Sequence, residues 1–434
     1  MGKNVVFLDE NEIDNRIQTA VKNAKIGNSA KIYGVSGIGQ ENPILIRTHD
    51  AAGIDLVLTN NNGLIECVAT DDTFQKFFDF PEHTDELGNV FLTITPKAFK
   101  FDRTSGGEVT AISVKEYEDG DEANGYMVHP FFKNWTSETT YDGIVSREIA
   151  KYLNAAYDTA NDEVYEGDCG SVKDDIVVTS KPGLEFNLSF ANWNDGREII
   201  KNTSEKYGIM SWMFIDLFRY LFLIYFGRTD IHNFFGVDFE YDEDETGRYY
   251  YEYEQANVTG TTDSINSHTG FNTNSSHYKI FNIDHALAGI SVDGCYQTIE
   301  GFYYSHLFDF DAFSDEGANI STITNKVTSY TEEYDIITKM GYDEREPAFK
   351  VALAARQATA DNPVDTRQNI YYSCKQKLAT IEEPGKRGQY IAFSWYSTML
   401  YPDNGAFFSF WYYVFYFAWF DCSDGAVRLC KSPF

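Results

Sequence analysis

Cysteine is scarce and scattered: the 434 residues hold six (Cys67, Cys169, Cys295, Cys374, Cys422 and Cys430), with no CxxC pair and no metal-like spacing to histidine. That excludes a zinc module and a disulfide-dense secreted scaffold. The thiols are expected to be mostly free, with a Cys422–Cys430 disulfide as the alternative. Nor does a chain of this length need staples, because it suits two or three domains that each bury a core of their own.

Basic residues are also short in supply, at 35 Lys and Arg against 66 Asp and Glu, a net charge of −31. Neutralising phosphates needs a basic face, so nucleic acid is excluded as a ligand. Long apolar runs are missing too. The most apolar stretch, residues 207–226, carries Asp216 and Arg219 and ends at Gly227. It reads as a buried core helix with a glycine C-cap, and no membrane insertion is expected. The opening MGKNVVFLDENEIDNR has charges where a signal peptide needs an uninterrupted apolar core, so synthesis in a cytoplasm is expected. No repeat of solenoid length is visible.

What the chain has in excess is aromatic side chains, 16% of residues with 30 Tyr and 34 Phe. That is more than a core of this size needs, and it leaves rings for a contact surface. Along the chain, Ile13, Ile17, Ala20 and Ala24 follow an a/d pattern, which fits a two-heptad oligomerising stalk or a single amphipathic helix equally well. Residues 30–115 are predicted to form a β-rich module from short runs such as KIYGV, LIECVA, VFLTI and TAISV. The acidic stretch 116–124 is predicted to be a linker or exposed hairpin. Two helices are predicted beyond it, over 146–158 and over 204–227 with Ser204 as N-cap. Residues 239–253 read as a hairpin with an acidic turn, and 260–276 as a polar loop.

The most unusual segment is NGAFFSFWYYVFYFAWFDCSDGAVRLC, residues 404–430. Both alternating sets of a strand through it are aromatic, so one core cannot satisfy all of them. A fully buried strand, an aggregation-prone flaw and a binding face compete, and the binding face is favoured because Tyr and Trp dominate contact hot spots.

At this point the chain resembles phage fibre receptor-binding proteins that carry a C-terminal C-type-lectin-like (formylglycine-generating-enzyme-like) domain, similar to the variable proteins of diversity-generating retroelements. The resemblance is carried in order by Gly125-Tyr126-Met127-Val128-His129-Pro130, Asp142-Gly143-Ile144, Ser180-Lys181-Pro182-Gly183, Phe226-Gly227-Arg228-Thr229-Asp230, Thr269-Gly270, Val292-Asp293-Gly294 and Trp395 through Asn404-Gly405-Ala406-Phe407-Phe408 to Gly425-Ala426-Val427-Arg428-Leu429. Upstream, Ile32-Tyr33-Gly34-Val35 and residues 47–53 add to it.

The resemblance implies an α+β fold: the β-rich module, then a C-type-lectin-like domain over 125–434 with few regular strands and a long central helix, poorly matched near 308–389. Residues 1–29 would attach or oligomerise the chain. It also implies a ligand face at Tyr396, Ser397, Thr398, Leu400, Tyr401, Asp403, Ser409, Trp411, Tyr412, Tyr413, Phe415, Tyr416, Trp419 and Phe420. Trp395 and Phe407 are expected to be scaffold.

The partners so implied are a host cell-surface protein or glycan, other virion proteins through the N-terminus, and further copies of the chain, with a trimer favoured. A purely structural virion subunit, with the aromatic segment at a subunit interface, is the main alternative. A copper oxidase of the same fold needs two converging thiols, whereas Cys422 and Cys430 are eight apart. His129, His232, His268, His277 and His285 stand in no nucleophile motif. No catalysis, cofactor or metal is expected.

Overall fold

Runs of β-branched and aromatic residues broken by Gly, Asn and Asp dominate the chain, and such runs favour short strands joined by tight turns. The computed structural model describes residues 30–228 apart from 39–43, 106–108, 136–140, 166–174, 186–198 and 211, and residues 258–286 apart from 266–267 and 273–276. Farther along it describes strands at 242–243, 249–250, 290–299, 302–306, 326–327, 371–372, 389–397 and 410–415, and residues 426–431.

One five-stranded antiparallel sheet runs in the order Ile46–His49, Tyr33–Ser36, Val109–Glu116, Lys97–Arg103, Met127–Val128. A second five-stranded sheet runs Tyr207–Ile209, Leu429–Lys431, Arg147–Ala150, Val90–Ile94, Glu82–Thr84. In a four-stranded sheet, Leu64–Ala69 lies between Leu56–Asn61 and Thr269–Asn272. Strands from both sides of residues 116–124 therefore meet in all three of these sheets. Asp121–Asn124 is itself a 3-10 turn, tied down by Asp121, whose carboxylate accepts from the Lys115 ammonium at 2.5 Å and from the Glu118 N–H at 2.8 Å.

The expected α+β domain with few regular strands and a long central helix is not what forms: the described chain is mostly β, arranged as several antiparallel sheets. Residues 146–158, predicted helical, instead form the strands Arg147–Ala150 and Ala155–Asp158. Local helix propensity loses there because Arg147–Ala150 finds backbone partners on both sides, Val90–Ile94 and Leu429–Lys431, which no isolated segment could supply. The predicted 204–227 helix shrinks for the same reason. Tyr207–Ile209 becomes an edge strand on Leu429–Lys431, and helix α1 spans only Trp212–Phe226, fifteen residues. A hairpin forms within 239–253, but Asp242 and Glu243, read as part of its acidic turn, are strand residues paired to Tyr249–Tyr250.

Helix α1 packs into the core with Leu217, Phe218 and residues 220–226 all buried. It joins an aromatic cluster: the Tyr225 ring lies 5.2 Å from Phe78 and 5.5 Å from Phe281, and Phe218 lies 5.6 Å from Phe281. The helix stops at Gly227, whose φ of 62° suits a residue without a Cβ. Its last carbonyls are capped from another element. Arg47 donates from Nη1 to Ile224 O at 2.8 Å and from Nη2 to Tyr225 O, while the guanidinium lies 5.1 Å over the Phe74 ring. A cation there also opposes the negative end of the helix dipole. Arg47→Ala removes both bonds and the ring contact, and urea unfolding should show a loss of about 2–3 kcal/mol.

The candidate binding hairpin and its buried anchor

The strand Gln389–Ser397 contains Tyr396 and Ser397, and the strand Phe410–Phe415 contains Trp411, Tyr412, Tyr413 and Phe415. Their backbones pair antiparallel, setting Tyr396 opposite Trp411, Trp395 opposite Tyr412, Ser394 opposite Tyr413 and Ala392 opposite Phe415. Residues far apart in sequence thus become direct cross-strand neighbours, the unit through which sheets are stabilised. Trp395, expected as scaffold, stands out of step with Tyr396 and Trp411. Thr398, Leu400, Tyr401, Asp403, Phe407, Ser409, Tyr416, Trp419 and Phe420 lie outside the described residues.

The hairpin is one part of a seven-stranded sheet. Gln389–Ser397 pairs on its other side with Ile290–Ile299, whose register shifts between Val292 and Cys295, so Asp293 and Gly294 form a bulge. A bulge bends a strand and re-aims the residues beyond it. The start of Ile290–Ile299 also pairs in parallel with Ala426–Val427. The aromatic strand therefore lies between two chain segments that are each tied into sheets.

The C-terminal tie is the firmer one. Arg428, which separates Ala426–Val427 from Leu429–Lys431, is fully buried. Its Nη1 donates to Ala150 O at 2.8 Å and Lys151 O at 2.7 Å, and its Nη2 donates to Asp284 O at 2.8 Å. The backbone at Arg428 is held as well, since Met210 N donates to its carbonyl at 2.9 Å and Leu429 N donates to Asn154 Oδ1 at 2.7 Å. Burial pushes the guanidinium down to about 10, against the field of Asp284, which leaves it charged at neutral pH.

Asp284 supplies the counter-charge from a fully buried position. Its carboxylate accepts from Gly260 N at 2.9 Å and Thr262 Oγ1 at 2.8 Å, and it meets His285 Nδ1 at 2.8 Å. Burial alone would raise this acid, but His285 and the hydrogen bonds outweigh it and hold the carboxyl at about 2. The turn around it is strained: Phe281, Asn282 and His285 have φ of 53°, 69° and 50°. Non-glycine residues hold such angles only where the surroundings over-determine them, as the buried Phe281 ring and the Asp284 bonds do here. Beside it, the largely buried Lys151 ammonium lies 2.7 Å from Glu82 and 2.8 Å from Asp263, and the Tyr152 hydroxyl donates to Asp263.

This polar centre spends its donors on backbone carbonyls and its own carboxylates, so its chemistry is that of a clamp. Sequence reading used Arg428 only as part of a closing motif and missed Asp284, Asn154 and Lys151. One signal was available, a lone arginine inside the otherwise apolar Ala426-Val427-Arg428-Leu429-Cys430. Among the described residues no group of three or more His, Cys, Asp or Glu is placed to hold a metal, and no helix is long and apolar enough to cross a membrane.

Arg428→Met leaves three buried carbonyls without their donor, and equilibrium unfolding should register a loss of about 3–5 kcal/mol. The pH dependence has a defined sign. Asp284 titrates near 2 when folded and near ~3.9 when unfolded, so its contribution is present above about pH 4 and lost as pH falls toward 2. The urea midpoint of the wild type should drop over that window, and more steeply than that of Asp284→Asn. Comparison with protein-family models, with curated proteins and with solved structures gives no match for this chain.

Proposed function

We propose that this chain is a binding protein without catalytic activity, and that the paired strands Gln389–Ser397 and Phe410–Phe415 are its contact element. The register of that pair carries the proposal: it sets Tyr396 against Trp411 and Ser394 against Tyr413 on strands of one seven-stranded sheet, in which Ile290–Ile299 pairs both with Gln389–Ser397 and with Ala426–Val427. Large, stiff aromatic side chains bind at low entropic cost, and a fixed backbone spares a binder the cost of ordering its contact loop. The resemblance read from the sequence supplies the setting, the surface of a phage virion, with a host cell-surface protein or glycan as target. Attachment to other virion proteins through residues 1–29 and assembly as a trimer belong to the same reading.

The test is adsorption of purified protein to a panel of bacterial strains, with wild type beside a triple variant Tyr396→Ala, Trp411→Ala, Tyr413→Ala. Aromatic hot spots are worth about 2 kcal/mol each, so the variant should lose binding by tenfold or more while its melting temperature stays close to that of the wild type. Equal adsorption by the two proteins, or none by either, would overturn the proposal. The segment would then be an assembly interface within the virion.

A further inference from the structure

The sheet that holds the C-terminal strand has one buried face and one polar face. On the buried face Ile149 is paired with both Cys430 and Leu92, all three in the core. One residue out of step, Lys431 is paired with both Glu148 and Tyr207, and Glu148 with Thr93, so a row of polar groups crosses the other face. Above this row lies a cleft of about 340 Å³, lined by Glu86, Ser146, Glu148, Lys206, Tyr207 and Lys431. That is the small end of the range for small-molecule pockets.

The groups at the cleft are held loosely, with one exception. Tyr207 is committed, its hydroxyl donating to Asp85 and accepting from Asn89 Nδ2 at 3.0 Å. The Lys431 ammonium, only 15% exposed, has Glu148 at 3.3 Å, His83 at 3.4 Å and Asp85 at 3.7 Å, all longer than a good N–H···O bond. Its closest aromatic support is the Phe91 ring, 4.3 Å from Nζ. Glu148 is likewise 3.4 Å from His83, and Lys206 and Glu86 face each other at 3.5 Å on the exposed rim. Donors and acceptors thus alternate around a concave space without satisfying one another closely.

This pattern selects a ligand class. An anion would meet Glu86 and Glu148, and a cation would meet Lys206 and Lys431. An apolar ligand would strip water from all of them with nothing in return. A neutral polyol fits, because each hydroxyl both donates and accepts, giving to Glu148 or Glu86 while taking from Lys431 or Lys206. We propose that this cleft binds one neutral saccharide ring, at a site separate from the aromatic hairpin and not dependent on it. Because Phe91 and Tyr207 are buried and offer no open ring to stack on, binding should be weak, with a Kd on the order of 1 mM.

Ligand-observed NMR titration of the full chain with glucose, galactose, mannose and N-acetylglucosamine tests this, with glucuronate and glucosamine as charged counterparts. At least one neutral sugar should saturate in the millimolar range. Glu148→Gln and the rim variant Glu86→Ala, Lys206→Ala should each weaken it at least fivefold, and the rim variant, altered only at exposed positions, is expected to fold normally. The hairpin triple variant should leave it unchanged. No saturable neutral sugar, binding of only a charged one, or equal affinity in the rim variant overturns the proposal. Loss of the sugar in the hairpin variant alone also overturns it, and would place saccharide recognition on the aromatic strands instead.

Discussion

One buried guanidinium holds together parts of the chain that are remote in sequence. Arg428 reaches the carbonyls of Ala150, Lys151 and Asp284, so the last sheet strand, the turn at 281–285 and the end of Arg147–Ala150 share a single hydrogen-bond centre. A cation taken fully out of water is tolerated only where every donor finds an acceptor and a counter-charge lies close. Asp284 provides that charge, and its own oxygens are satisfied by Gly260, Thr262 and His285. The clamp works as a unit.

The topology explains why such a clamp is needed. The second sheet draws its five strands from residues 82–84, 90–94, 147–150, 207–209 and 429–431, so it cannot close until the C-terminus arrives. Contacts of such long sequence separation carry a large loop-closure cost, and the buried polar bonds fix the one register in which they are all made. The same strand serves two purposes. On one side Cys430 enters the core, and on the other Lys431 lies on the floor of the polar cleft.

Aromatic residues are also divided between two uses. A sequence this rich in Phe and Tyr suggests a surplus for contact surfaces, yet much of it fills the core: Phe74, Phe78, Phe218, Tyr225 and Phe281 pack ring against ring at 4.9 to 5.6 Å. The proposed contact role rests instead on Gln389–Ser397 and Phe410–Phe415, where the cross-strand register sets aromatic positions against one another.

Several strands were legible from the residues alone. LIECVA, VFLTI and TAISV carry enough β-branched and aromatic side chains to mark Leu64–Ala69, Val90–Ile94 and Val109–Glu116, and the apolar run ending at Gly227 marks the buried helix. The aromatic hairpin was visible as composition, although its pairing was not. Only the tertiary structure decided that residues 147–150 and 155–158 are strands, that 207–209 leave the helix, and that the described chain is mostly β. Those outcomes depend on backbone partners tens to hundreds of residues away, to which local periodicity is blind. Burial was decided in the same way: a charged residue reads as surface until the fold shows it surrounded by carbonyls, and so the anchor at Arg428 and Asp284 emerged only once strands from both ends of the chain had been brought together.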